Sequence, residues 1–207
     1  MMPGVLLRKL KTDVAARGEP QRKGVSADGY VVLRPHRQED GGRFRLLARC
    51  CEALMRWADP TFSYSAVAVT KNFRGSPHID THDVTHQYAC SFGTWVGGGG
   101  ELCIEDAQQP SELIHVVNTR NRMVKVDGRY THWVRAFGQR DHDRDSPRDE
   151  PTGATTVDKE ADDGPKQSAE GDRFSLVFYS TEAKHSTGRS CSLYPMWLPA
   201  GSDDTTC

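Results

Sequence analysis

Apolar residues fall three or four apart at Phe44, Leu47, Cys51, Leu54 and Met55. This spacing lines one side of a helix and predicts one over 41–58. Asp40 is placed to cap its start and Asp59-Pro60 to end it. A one-sided stripe needs an apolar surface to lie on, which predicts a helix packed on a sheet. Upstream, DGYVVLRP (28–35) reads as a strand closed by proline, and Leu6, Leu7, Leu10 and Val14 suit a short helix.

From Ser63 onward the pattern shortens to strand-sized runs rich in β-branched and aromatic residues. These are SYSAVAVT (63–70), QYACSFGT (87–94), ELCIE (101–105), IHVVN (114–118), RMVKVD (122–127), YTHWVRAF (130–137) and RFSLVFYS (173–180). A last run, SLYPMWL (192–198), contains a proline and is expected only at a sheet edge. Asp127-Gly128 is a hairpin signal. Many short strands with tight turns predict a mainly β fold, a sandwich or jelly roll, with N-terminal supporting helices.

Residues 139–171 break this pattern. They hold ten acidic and five basic residues, three prolines and no aromatic residue. Such a stretch buries too little apolar surface to order itself and is expected to be a disordered insertion between two strands. The expected organisation is an N-terminal segment at 1–27, one domain at 28–200 carrying the insertion, and a tail at 201–207.

Composition narrows the picture without choosing a function. The net charge of −1 selects neither nucleic acid nor membrane. No apolar run approaches the roughly 20 residues of a spanning helix, and MMPGVLLRKLK has its charges after the apolar patch, unlike a secretory signal. The six cysteines form no CxxC pair. Together these predict an intracellular protein, cytoplasmic or nuclear, with reduced thiols and no membrane partner.

The chemistry concentrates in SPHIDTHDVTH (76–86). In an extended strand residues i and i+2 point the same way, so His78 and Asp80 converge on one point. A third histidine from another strand would complete a facial triad suited to iron(II), leaving the opposite coordination face open. Six histidines downstream compete for that place. His142 lies in the insertion, His82 and His86 read as loop residues, His115 as a core or edge residue, and His185 follows the last good strand. His132, after the Asp127-Gly128 turn and beside Trp133 and Val134, has the most favourable context. Arg173 and Ser175 are also two apart on a strand. An arginine fork beside a hydroxyl suits a buried carboxylate, whereas a strand-end surface arginine is the plainer reading.

In order and type, these elements resemble the 2-oxoglutarate and iron(II)-dependent dioxygenases, a superfamily that includes prolyl-hydroxylase-like and alkylation-repair-like enzymes. The resemblance runs from about Ser63 to Ser180. It rests on N-F-x-G-x-x-H-x-D (72–80), Gly99-Gly100-Glu101-Leu102, Asp127-Gly128 leading to His132 and Val134, and Gly171, Arg173 and Ser175. The spacing departs at one place, since Arg173 follows His132 by 41 residues where about ten are usual, and the 139–171 insertion accounts for the excess.

The resemblance implies a double-stranded β-helix with iron(II) held by His78, Asp80 and His132. 2-Oxoglutarate would be anchored by Arg173 with Ser175, and Asn72 and Tyr88 would line the pocket. Dioxygen is the oxidant and ascorbate a candidate reductant. The reaction implied is hydroxylation of a substrate with release of succinate and CO2. The substrate classes are a protein side chain, a small molecule, or a modified base in nucleic acid. For the last, Arg120, Arg122, Lys125, Arg129 and Arg135 form a basic run in sequence, and Trp95 and Trp133 are candidate substrate contacts. A catalytically silent metal-binding barrel and a cupin-type enzyme without 2-oxoglutarate are the rival readings.

Overall fold

The computed structural model describes residues 25–35, 44–138 and 171–194. Asp40, His142, the segment at 6–14, the insertion at 139–170 and the end of the last run lie outside them. The described residues are mainly β, with eleven strands in three antiparallel sheets and one α-helix.

The six-stranded sheet has the order β11-β8-β5-β10-β3-β2. Its strands are β2 (Gly29–Leu33), β3 (Ala66–Lys71), β5 (Gln87–Gly93), β8 (Val124–Val126), β10 (Arg173–Tyr179) and β11 (Leu193–Tyr194). As expected of the proline-broken last run, β11 is an edge strand. The three-stranded sheet, β7-β6-β9, consists of β6 (Leu102–Glu105), β7 (Ile114–Val117) and β9 (His132–Val134). Two further short strands, β1 (Val25–Ser26) and β4 (Arg74–Gly75), pair only with each other.

Helix α1 (Arg45–Ala58) carries the stripe read from the sequence, with Leu47, Cys51 and Met55 buried. It lies on the outer face of the large sheet. There Val67 and Val69 of β3, Tyr88, Cys90 and Phe92 of β5, and Phe174, Leu176 and Phe178 of β10 complete the main core. The helix ends where the Asp59 amide donates to the Met55 carbonyl, and the Asp59 carboxylate then takes the amide and hydroxyl of Thr61.

Strand alternation sends the other set of residues to the inner face. Ala89, Val124, Val126 and Val177 of the large sheet meet Leu102, Ile104 and Val117 of the small one in a second core. Further along this inner face the side chains become polar, at Gln87, Ser91, Arg173 and Ser175.

The Asp127-Gly128 turn departs from the hairpin expected of it. A turn does form, with the Tyr130 amide donating to the Asp127 carbonyl at 3.2 Å. The strands on either side do not pair: β8 bonds to β5 and β11, whereas β9 bonds to β6. The turn is a corner that carries the chain from the large sheet to the small one. The buried Asp127 carboxylate grips Arg129, with Oδ2 to Nη2 at 2.6 Å.

Candidate metal centre

His78 sits directly opposite His132 in an antiparallel pair. The His78 amide donates to the His132 carbonyl at 3.0 Å, and the His132 amide donates back at 2.9 Å. Directly opposed residues project to the same side, and Asp80, two residues on from His78, joins them. Its own amide donates to the Gly128 carbonyl at 2.9 Å, which ties it to the corner before β9. One ligand atom from each of the three lies within 4.8 Å of the others, so the group can hold a metal ion.

Each ring is already set for that role. His78 Nδ1 is 2.9 Å from the Ser76 carbonyl, and His132 Nδ1 is 2.9 Å from the Tyr130 carbonyl. A carbonyl only accepts, so each Nδ1 carries the proton and each Nε2 presents a lone pair. Burial holds His132 below the ordinary imidazole value, opposed by the Asp80 carboxylate, so its neutral form is favoured. His132 Nε2 is 3.5 Å from Asp80 Oδ2, and His78 Nε2 is 3.8 Å from Asp80 Oδ1. Two imidazole nitrogens and one carboxylate form a donor set that suits iron(II) or a similar divalent ion.

The other histidines of the described residues lie away from this cluster. His115 pairs with Asp106 at 2.7 Å, and His185 Nδ1 meets the Ser180 hydroxyl at 2.7 Å. His86 packs among Phe62, Tyr88 and Tyr194, while His82 is exposed.

Arg173 starts β10 on the inner face of the large sheet and is only 2% exposed. Its Nη2 donates to the Gly100 carbonyl at 2.9 Å and its Nη1 to Ser175 Oγ at 3.2 Å. Its buried Nε has no partner among the described residues. The guanidinium lies beside the rings of Trp95, 5.7 Å away, and Phe137, 5.4 Å away. Burial pushes its pKa down to about 10, which still leaves it charged at neutral pH. Ser175 lies between Thr70 and Ser91 in the register of three strands, and its hydroxyl is 2.7 Å from that of Thr70.

The glycine-rich approach to Arg173 has a steric cause. Gly100 has φ +83°, and a Cβ there would press on the Arg173 side chain. Gly99 has φ +90°, and a Cβ would collide with the Ala136 carbonyl.

The structure does not bring Tyr88 to this face. It points to the helix side, and its hydroxyl donates to Asp59 at 2.8 Å. Asn72 clasps the backbone of Arg173. Its Oδ1 accepts from the Arg173 amide at 2.7 Å and its Nδ2 donates to Asp28 at 2.7 Å, with φ at +50°. Four of the five basic residues in the 120–135 run have separate partners. Arg120 stacks on Trp95, Lys125 on Tyr194, Arg129 binds Asp127, and Arg135 faces Glu101.

Gln87 is an inner-face residue that none of the sequence motifs singles out. Gln87 donates from Nε2 to Asp80 Oδ2 at 2.7 Å and to Asp83 Oδ2 at 2.6 Å. The signal was there in QYACSF: Tyr88, Cys90 and Phe92 form the apolar parity, and Gln87 and Ser91 the polar one. No protein-family model matches the chain, and no curated protein matches it.

Proposed function

We propose that the protein is a non-haem iron(II) and 2-oxoglutarate-dependent dioxygenase. The observation that carries this reading is that the three-donor cluster, on the small sheet and its extension, and a buried, incompletely bonded arginine, on the large sheet, both face the space between the two sheets. A buried guanidinium without an ion pair among the described residues is costly, and a carboxylate is the partner whose geometry fits it.

The strand order supports a double-stranded β-helix. After β3 the chain passes to the His78 segment beside β9, then to β5, then to β6 and β7, then to β8, β9 and β10. It thus crosses repeatedly between two facing sheets, and the metal ligands come from the small sheet and its His78 extension.

Iron(II), when bound, supplies reductive activation of dioxygen coupled to decarboxylation of 2-oxoglutarate to succinate and CO2. The residues do the rest. The Ser76 and Tyr130 carbonyls fix the tautomers of His78 and His132. Arg173, with Ser175 beside it, pairs with the distal carboxylate of 2-oxoglutarate and thereby orients its other end toward the metal. Trp95 and Phe137 keep water from that ion pair, which strengthens it.

The test is an anaerobic titration of iron(II) followed by 2-oxoglutarate, read by the weak visible charge-transfer band of the chelate. The band is expected in the native protein and in His185→Ala, and not in His132→Ala. No band from folded, metal-loaded native protein, or a band that survives in His132→Ala, overturns the reading.

A further inference from the structure

Gln87 is held in an unusual position. Its side-chain amide faces two carboxylates at once, Asp80 Oδ2 at 2.7 Å and Asp83 Oδ2 at 2.6 Å, and the residue is 3% exposed. An NH2 group has two hydrogens, so one donor group satisfies both acids. Asp83 is itself buried at 8% exposure and its amide donates to the Asp80 carbonyl at 3.2 Å, so the two acids belong to one tight turn. Gly128 closes the site from the other side. A Cβ there would run into the Gln87 carboxamide, and the Gly128 carbonyl receives the Asp80 amide. The same glycine thus leaves room for the amide and anchors the ligand strand.

We infer that Gln87 is the positioning residue of the metal centre, holding the Asp80 carboxylate in its ligating orientation, with Asp83 as the anchor that fixes Gln87. This rests on the metal reading above. The reason is geometric. Asp80 is half-exposed and has few other side-chain restraints, whereas His78 and His132 are each held by a carbonyl. A carboxylate rotates about its last bond unless one oxygen is tied. Gln87 ties Oδ2 and leaves Oδ1 free on the side of His78. A neutral donor does this without adding a positive charge beside the cation site, as a lysine or arginine would. Partners of this kind typically change metal affinity about 10- to 100-fold.

The experiment measures manganese(II) affinity by calorimetry in the full chain, with the melting temperature of the metal-free protein recorded alongside. Gln87→Asn keeps the amide but is one methylene too short to reach both acids. It is expected to lose about tenfold or more in affinity, as is Gln87→Ala. Asp83→Asn keeps an acceptor oxygen for Gln87 and is expected to stay within about threefold of native, a difference that a purely structural role does not produce. Native affinity in folded Gln87→Asn or Gln87→Ala, with His132→Ala unable to bind, overturns the positioning role and leaves the metal centre standing. If folded native protein binds no manganese(II), both fall together.

Discussion

Arg173 is the residue whose surroundings say most about ligand chemistry. A guanidinium at 2% exposure whose Nε has no partner among the described residues is a poor way to stabilise a fold. Two aromatic faces and the Gly100 carbonyl hold it in place without neutralising it. The charge therefore remains available to an incoming anion. Arg173→Met keeps the length and removes the charge. It is expected to weaken 2-oxoglutarate binding about 10- to 100-fold, the range of a charge-assisted hydrogen-bonded contact, and to leave manganese(II) affinity unchanged. Paired calorimetric titrations of metal and of 2-oxoglutarate measure both. Equal losses for the two ligands would mean that Arg173 supports the metal centre and not the organic acid.

Elements were legible in the sequence to the extent that they carry a period. The α1 stripe and the runs that became β2, β3, β5, β6, β7, β8 and β10 each show it, and their positions follow from local pattern. Sheet membership does not follow, because pairing depends on residues far away in the chain. That is why Asp127-Gly128 reads as a hairpin and folds as a corner. Two-residue strands such as β1 and β4 are too short to show any period. Tyr88, which the resemblance places in the pocket, shares the parity of Cys90 and Phe92 and therefore points to the helix side. In the site, the His-x-Asp pair was legible because its spacing is local, and Gln87 was hidden because its partners depend on how the turn at 80–83 folds back. The helix supports the sheet from the face opposite the metal ligands. Leu47→Ala, at a fully buried position, is expected to cost about 2–5 kcal/mol of stability. Urea unfolding measures this, and the folded protein should keep its manganese(II) affinity.

At the scale of the whole molecule, two cores share one large sheet, and an ionisable group at the outer one links stability to pH. His86 lies against Phe62, Tyr88 and Tyr194, and its Nε2 is buried without a partner among the described residues. Burial, with Lys125 nearby, lowers its pKa to about 4 from 6.5, against the opposing pull of Asp127 and Asp59. Below 6.5 the unfolded chain takes up a proton that the folded one refuses, until about 4. Stability is therefore lost as pH falls through that window, and this contribution is fully present above it. Urea midpoints at pH 7.5 and pH 4.5 should differ more in the native protein than in His86→Phe. An equal difference in both would assign the acid sensitivity to other groups.

The residues that cradle Arg173 also stand at both ends of the 139–170 stretch. Phe137, just before it, stacks on the guanidinium, and Asp172, just after it, receives the Thr94 amide at 2.9 Å beside Trp95. Whatever sequence joins them, its two ends are moored by the fold itself. Each doubling of such a connection costs only about 0.6 kcal/mol in closure entropy. The position is thus a natural graft point. A fluorescent or affinity module spliced there would be tethered next to the arginine, in a place to report directly on whether an acid has arrived.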